Sequence, residues 1–212
     1  MRRARWRGFY FITDSGLSRN GILEDTRQAL KAGAVLVQYR EKALSFEARF
    51  AEARSVQALC RAAGRPFILN DEVELALAVE AEGLHVGQTD TEALVARQRL
   101  GKKAILGVSV GSPEEARAAE VAGASYLAAS PVFATPTKPD APEPVGLEGL
   151  RAIREVTELP LVAIGGVSET NAAALIEAGA DMLCAISASL ADGRVDENIQ
   201  RLLIAAGFRG EP

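Results

Sequence analysis

Residues 113–129 read PEEARAAEVAGASYLAA, and this stretch contains a helix, a sharp junction and a strand. Pro113–Ala122 is rich in Ala and Glu, as helices are. Ser125–Ala129 is a short apolar run typical of a buried strand. Gly123 lies between them and suits the left-handed position that ends many helices. The stretch therefore predicts a helix that leads directly into a strand.

The same junction recurs as Ala32-Gly33-Ala34 and Ala178-Gly179-Ala180, with a looser copy at Ala81-Glu82-Gly83. Strands are predicted at Gly8–Thr13, Ala34–Tyr39, Pro66–Asn70, Gly83–Val86, Ala104–Val108, Ser125–Ala129, Leu161–Ile164 and Met182–Ile186. Helices are predicted at Ile22–Ala32, Phe46–Ala63, Val73–Ala81, Glu92–Leu100, Pro113–Ala122, Leu147–Val156, Glu169–Ala178 and Asn198–Ala206. The strands are nearly continuous apolar runs, which favours parallel strands covered on both faces.

This repetition predicts an α/β fold, a (β/α)8 TIM barrel, with strand–helix units of about 25 residues each. We expect one domain over residues 1–212, with a basic lead-in at 1–7 and a frayed tail at 207–212. The alternative is a doubly wound open sheet. It is less favoured because no dinucleotide-binding glycine pattern follows the first strand.

The composition excludes several classes of protein. The chain is 48% hydrophobic and 25% charged, as globular proteins are, with a net charge of −4 that disfavours a nucleic-acid partner. No apolar run approaches the roughly 18 residues of a membrane span. The two cysteines, Cys60 and Cys184, are far apart and form no disulfide framework, which favours a cytoplasmic location. His85 is the only histidine, so a zinc site is not expected, and we interpret it as a packed, hydrogen-bonded side chain.

In a TIM barrel the chemistry lies just beyond the carboxyl ends of the strands. Arg40 and Lys42 follow the second predicted strand and bracket one residue, so a strand-like path points both the same way. Such a pair suits a phosphate group, although a solvated run of charges is the alternative. Glu41 between them is interpreted as a local counter-charge.

Two aspartates, Asp71 and Asp90, follow the third and fourth predicted strands. Carboxylates beside a phosphate clamp suit Mg²⁺, which proteins usually hold with one or two carboxylates and the substrate phosphates. The alternative is that Asp71, and Thr89 or Asp90, only cap the helices that follow.

The loop after the sixth predicted strand contains five of the nine prolines, together with Thr135, Thr137 and Lys138. A long loop on a compact barrel is usually functional, although a structureless insertion is the alternative. Gly165-Gly166 and Ser187 follow the seventh and eighth strands, where TIM barrels commonly bind phosphate. Tight turns are the alternative there.

These groups suggest two phosphorylated small-molecule substrates, one of them bound with a metal ion. The sequence offers no convincing general base and no nucleophile. It therefore favours chemistry driven by departure of a pyrophosphate that a metal and cations stabilise.

Several motifs together resemble the thiamine-phosphate synthase family along nearly the whole chain. They are YFITD (10–14), QYREK (38–42), NDEVELAL (70–77), GLHVGQTD (83–90), Gly107–Ser109, PVFATPTK (131–138), AIGG (163–166), and Ala178–Asp181 with Ile186-Ser187. The AIGG and Ala178–Asp181 patterns occur in many phosphate-binding barrels. QxREK, ND, GQxD and TxTK are specific in combination.

The resemblance implies a transferase that joins 4-amino-5-hydroxymethyl-2-methylpyrimidine diphosphate to 4-methyl-5-(2-phosphooxyethyl)thiazole. The products are thiamine phosphate and pyrophosphate, Mg²⁺ is required, and the diphosphate leaves before the thiazole attacks. By this resemblance Asp71 and Asp90 hold Mg²⁺. The residues implied for the pyrimidine diphosphate are Gln38, Arg40, Lys42, Asn70, Ser109 and Lys138, of which Arg40, Lys42, Ser109 and Lys138 are catalytic. Those implied for the thiazole phosphate are Thr135, Thr137, Gly166, Ile186 and Ser187.

The chain departs from the family pattern at two places. Val110-Gly111 stands where the family usually has a polar pair, and Ser130 stands where it usually has glycine before Pro131. The alternatives are therefore a thiazole tautomerase-like enzyme and a non-catalytic barrel that binds thiamine intermediates. Asp90 and the Thr135–Lys138 pattern favour the synthase. The oligomeric state is left open, and a homo-oligomer is compatible with the sequence.

Overall fold

The computed structural model describes residues 6–135, 137 and 142–208. Within these residues the strands are β1 (Gly8–Ile12), β2 (Leu36–Tyr39), β3 (Phe67–Asn70), β4 (Gly83–Val86), β5 (Ile105–Val110), β6 (Tyr126–Ala129), β7 (Leu161–Ile164) and β8 (Met182–Cys184). The helices are α1 (Ile22–Lys31), α2 (Phe46–Ala62), α3 (Val73–Ala78), α4 (Ala93–Leu100), α5 (Pro113–Val121), α6 (Gly146–Glu155), α7 (Ala172–Glu177), α8 (Ile186–Leu190) and α9 (Val195–Ala205).

The strands pair in sequence order, all in parallel, and β8 pairs with β1 to close the barrel. This confirms the predicted (β/α)8 barrel and rules out the open sheet. Among the described helices, none is long and apolar enough to cross a membrane.

The stretch from 113 to 129 folds as its sequence predicts. The Ser112 hydroxyl accepts a hydrogen bond from the Glu115 N–H, and Pro113 occupies the first turn of α5, where a missing N–H costs nothing. Gly123 ends the helix at φ 88°, a backbone conformation that strains residues with a side chain. The Ala124 N–H donates to the Ala119 carbonyl as the chain turns into β6.

Two apolar layers fill the fold. The larger one lies between the outer faces of the strands and the helices. The smaller one fills the inside of the barrel, where Tyr10, Leu36, Ile68 and Tyr126 meet. Trp6 packs against this inner layer from the end where the strands begin, with its ring 6.0 Å from that of Tyr126 in an edge-to-face arrangement.

Several predicted boundaries were wrong: α7 begins at Ala172 rather than Glu169, and α9 begins at Val195 rather than Asn198. The eighth strand ends at Cys184 rather than Ile186, and Ile186 begins α8, a five-residue helix that the sequence did not reveal. So short a helix shows no helical repeat, and its apolar first residue reads as a continuation of the strand.

The two termini lie partly outside the described residues. Of the predicted lead-in, only Trp6 and Arg7 are described. At the other end, the backbone N–H groups of Gly207 and Phe208 donate to carbonyls of α9. Phe208 also packs against the outer layer. The rest of the predicted tail, 209–212, is not described.

The Ala178–Asp181 motif serves packing. The Asp181 carboxylate accepts hydrogen bonds from Arg154 of α6 and from the Leu161 N–H of β7, both at 3.1 Å. The two charged side chains are only 16% and 17% exposed. This ion pair therefore ties α6 to the amino ends of β7 and β8, on the side away from the strand ends that carry the candidate site.

We expect Asp181→Ala to lower the free energy of unfolding by about 1–3 kcal/mol, because the largely buried Arg154 guanidinium and the buried Leu161 N–H both lose this acceptor. The matched control is Glu24→Ala, which breaks an exposed ion pair with Arg27 and should cost less than about 0.5 kcal/mol. Urea denaturation measures both. Equal losses in the two variants would contradict the structural role.

Candidate active site

A cavity opens at the carboxyl ends of the strands, and residues of all the strands or the loops after them line it. Its empty space is about 1090 Å³, including the solvent-filled mouth. The predicted site residues that line it are Gln38, Arg40, Lys42, Asn70, Asp71, Asp90, Ser109, Thr135, Thr137, Gly166, Ile186 and Ser187. Lys138 lies outside the described residues. The barrel thus brings the described members of the predicted set together.

Both predicted cations face a carboxylate at the cavity edge. The Arg40 guanidinium lies 3.1 Å from Asp14, and the Lys42 ammonium lies 3.3 Å from Asp71 Oδ2. The Thr13 hydroxyl accepts from the Arg40 N–H and donates to the Arg40 carbonyl, which fixes the backbone at the clamp. The pair is therefore held at the cavity and is not a freely solvated run of charges.

Glu41 shapes the loop that carries Lys42. Its buried carboxylate accepts a hydrogen bond from the Ala43 N–H at 2.6 Å. Burial alone would raise the pKa of Glu41, but hydrogen bonds from the Ser15 hydroxyl and the N–H groups of Ala43, Lys42 and Leu44 lower it below its ordinary value. Glu41 is thus an ionised anchor for the loop backbone, a role that the interpretation as a counter-charge missed.

The predicted carboxylate pair lies on neighbouring strand ends. Asp71 has a left-handed backbone, φ 51°, and its N–H donates to the His85 carbonyl. Its Oδ2 accepts from Asn70, and Oδ2 of Asp90 accepts from the Gly87 N–H, both at 2.7 Å. Neither aspartate caps a helix, because α3 and α4 begin after Glu72 and Glu92.

The donor set of this pair fits Mg²⁺. Within the described residues, the protein contacts of both carboxylates fall on Oδ2, which leaves Oδ1 of Asp71 and of Asp90 for another ligand. No cluster of three or more His, Cys, Asp or Glu occurs in the described part of the chain. Two carboxylates without imidazole or thiolate suit a hard cation that substrate phosphates help to bind, and they do not suit zinc.

A buried line of hydrogen bonds lies beneath the cavity and joins three of its lining residues, Gln38, His85 and Ser109. Gln38 donates to the Tyr10 hydroxyl at 2.8 Å, and the hydroxyls of Tyr10 and Tyr126 lie 2.7 Å apart. The Tyr126 hydroxyl lies 3.0 Å from His85 Nδ1, and His85 Nε2 lies 2.9 Å from the Ser109 hydroxyl. His85 is therefore packed and hydrogen-bonded, as predicted.

The two tyrosines of this line were not singled out in the sequence. Each looks like one more apolar member of a strand, and only its inward place on the barrel wall reveals its hydroxyl contact. Burial raises the pKa of both phenols well above the ordinary value, so both stay protonated.

The glycines after β7 make room for the loop after β6. Gly165 and Gly166 have φ of 95° and 63°, and a Cβ on either would overlap residues 131–134. The Phe133 N–H donates to the Gly165 carbonyl at 3.0 Å. This packing brings Thr135 and Thr137 to the cavity beside Gly166, so the glycines do more than form tight turns.

The departures from the family pattern occupy different environments. Val110 is buried in the outer layer, and the Gly111 N–H donates to Glu115. Neither lines the cavity, whereas Ser130 does, next to Pro131. Ser130 is thus the departure that lies within reach of a ligand.

Comparison with known proteins agrees with this geometry. The sequence profile described as thiamine monophosphate synthase matches residues 9–189. A thiamine-phosphate synthase of Moorella thermoacetica is 47% identical over 198 residues, which cover 93% of this chain and 94% of that protein. One of Chloroflexus aurantiacus is 48% identical over 190 residues, covering 88% and 86%.

A solved structure is also similar. Thiamine phosphate pyrophosphorylase from Pyrococcus furiosus superposes with a TM-score of 0.85 at 35% identity, covering 94% of this chain and 95% of that one. The profile match, the two relatives and this structure each span most of the barrel on which the cavity is built. The chain belongs to the thiamine monophosphate synthase family.

Proposed function

We propose that the chain condenses 4-amino-5-hydroxymethyl-2-methylpyrimidine diphosphate with 4-methyl-5-(2-phosphooxyethyl)thiazole. The C–O bond to the diphosphate breaks, and the leaving pyrophosphate takes the electron pair. The thiazole nitrogen forms the new C–N bond, which gives thiamine phosphate with a positive thiazolium ring. No proton moves in this exchange, so the reaction requires no general base.

The observation that carries the proposal is the asymmetry of the cavity. One side holds Arg40, Lys42 and the Asp71–Asp90 pair, and the other presents Thr135 and Thr137 beside the glycine turn. A diphosphate with a cation suits the first side, and a single phosphate suits the second. Two phosphorylated substrates can therefore approach each other between them.

Asp71 and Asp90 are the residues that would hold Mg²⁺. When bound, the ion would neutralise charge on the leaving diphosphate. Oδ2 of each aspartate is held by its own loop, which leaves Oδ1 directed away from those contacts. The hydrogen bond from Asn70 keeps the Asp71 carboxylate oriented in its left-handed turn.

The chain's own cations bind the diphosphate oxygens and stabilise the charge that develops on them. Arg40 and Lys42 each have a carboxylate partner, so binding of the diphosphate exchanges one anion for another at each cation. We propose that Lys138 adds a third cation from the loop after β6. Gln38, Asn70 and Ser109 would bind the pyrimidine diphosphate, and Gly166, Ile186 and Ser187 would bind the thiazole phosphate with Thr135 and Thr137.

The assay that tests the function combines the purified chain, both phosphorylated heterocycles and Mg²⁺, and measures thiamine phosphate after oxidation to fluorescent thiochrome. Product formation supports the synthase. Isomerisation of a thiazole phosphate without condensation would indicate a thiazole tautomerase-like enzyme. Binding of both heterocycles without turnover would indicate a non-catalytic barrel. We further propose a cytoplasmic location, because the chain has two buried, unpaired thiols.

Removal of the metal should abolish turnover, since the charge on the leaving group would be uncompensated. EDTA should stop product formation, and added Mg²⁺ should restore it. Asp90→Asn should lower kcat by about 100-fold or more. Asp196→Asn is the matched control, because Asp196 pairs with Lys31 away from the cavity, and it should leave kcat unchanged. Full activity of Asp90→Asn in EDTA would remove the metal from the mechanism.

Lys42→Ala should lower kcat by about 100-fold, as expected when a preorganised charge at the leaving group is lost. The melting temperature should hardly change, because the Lys42 side chain is 60% exposed. Lys31→Ala removes another exposed, ion-paired lysine, far from the cavity, and should change neither quantity. If Lys42→Ala destabilised the fold but kept normal activity per folded molecule, its role would be structural.

The order of bond changes can be read from a substrate analogue. A trifluoromethyl group in place of the pyrimidine 2-methyl destabilises a pyrimidine cation with little added bulk. If the diphosphate leaves first, kcat should fall by orders of magnitude while analogue binding hardly changes. A rise in KM alone would indicate direct displacement by the thiazole nitrogen.

A further inference from the structure

The buried line of hydrogen bonds from Gln38 to Ser109 has a defined direction, and that direction assigns a role to His85. Gln38, His85 and Ser109 line the cavity, whereas Tyr10 and Tyr126 lie below it inside the barrel. Each hydroxyl in such a line has one proton to donate, so fixing one end fixes all the following donors.

Gln38 sets the first donor. Its amide Nε2 donates to the Tyr10 oxygen, which leaves the Tyr10 proton for the Tyr126 oxygen. Tyr126 then donates its own proton to His85 Nδ1, the next partner along the line. Because both phenols are fully buried and stay protonated, each can complete its step.

The imidazole carries this direction to the cavity. If Nδ1 accepts from Tyr126, the neutral ring has its proton on Nε2. Nε2–H then donates to the Ser109 oxygen, 2.9 Å away. The Ser109 hydroxyl is left with its own proton to donate to a ligand.

The packing around these residues indicates that their polar atoms, and not only their rings, are needed. The rings of Tyr10 and Tyr126 meet edge-to-face at 5.7 Å, and the His85 ring stacks on Tyr126 at 5.6 Å. Phenylalanine in place of Tyr10 or Tyr126 could make the same ring contacts. What the two hydroxyls add is the line of hydrogen bonds. Gly107 leaves the necessary space, because a Cβ there would overlap the Tyr126 phenol and crowd His85 Nδ1.

We propose that His85 is a positioning residue, held by Tyr126 as the Nε2–H tautomer, that makes the Ser109 hydroxyl a hydrogen-bond donor toward an acceptor nitrogen of the heterocyclic substrate. The substrate assignment rests on the proposed function, whereas the tautomer does not. Without His85, the Ser109 hydroxyl could rotate and either donate a hydrogen bond to a ligand or accept one from it. His85, held by Tyr126, restricts Ser109 to the donor role.

The tautomer can be observed directly, because His85 is the only histidine in the chain. The full-length chain, without a histidine tag and labelled with ¹⁵N-histidine, gives one pair of imidazole nitrogen resonances. We expect an unprotonated Nδ1 and a protonated Nε2 at neutral pH. A protonated Nδ1 would overturn the proposal, whatever activity the chain has.

Two tyrosine variants test the cause of the tautomer. Tyr126→Phe keeps the ring but removes the donor, so the Nδ1 resonance should shift strongly. Tyr39→Phe is the matched control, since the Tyr39 hydroxyl donates to Glu52 outside the barrel interior, and it should leave the resonances and kcat unchanged. An unmoved Nδ1 resonance in Tyr126→Phe would show that Tyr126 does not hold the ring.

Two histidine variants test the effect on Ser109. His85→Gln offers an amide N–H near the place of Nε2–H, and it should bind the pyrimidine diphosphate within about threefold of the wild type. His85→Phe offers none, and its affinity should fall about tenfold, the loss expected for one unmade hydrogen bond in a buried site. Circular dichroism and thermal melts compare their folding. Equal losses in two folded variants would reduce His85 to a packing residue.

Discussion

Closure of the parallel sheet is the constraint on which the rest of the structure depends. Because β8 pairs with β1, the strands of the described barrel have no free edge, and their carboxyl ends form one ring. Side chains far apart in sequence, such as Arg40 and Ser187, are thereby placed around one cavity. The barrel interior must also be filled, and the polar side chains inside it need partners.

The charges of the site follow from that ring. The cations after β2 lie between carboxylates on the strand ends at either side, so Arg40 pairs with Asp14 and Lys42 meets Asp71 across adjacent loops. Such pairs cost little at an exposed rim, so each charged group can exchange its partner for a ligand. A phosphorylated ligand that carries a divalent cation can bind both kinds of group at once: its phosphates bind the basic side chains, and its cation binds the carboxylates. Phosphate alone would leave the carboxylates without a partner, and the cation alone would leave the basic side chains without one. In the proposed reaction, this coupling would let a single rim bind a highly charged leaving group.

Much of the fold could be predicted from the sequence because its signals are local. The junction at Gly123 needs a left-handed residue, and the apolar runs on either side have the lengths of helices and strands. The rim residues could be predicted because strand ends are predictable and charged residues there have few other uses. Helix α8 was missed because five residues carry no periodicity. The partnership of Tyr10 with Tyr126 was missed because they are 116 residues apart, and only the closed barrel brings them together.

The edge-to-face contact between Trp6 and Tyr126 has a practical consequence. Trp6 is the only tryptophan in the chain, and it contacts the inner layer from the end opposite the cavity. Tyr126 belongs both to that contact and to the line that ends at the cavity floor. Tyrosine transfers excitation efficiently to a tryptophan at such short range. The barrel therefore contains its own optical reporter of the packing around Tyr126, one that needs no attached dye.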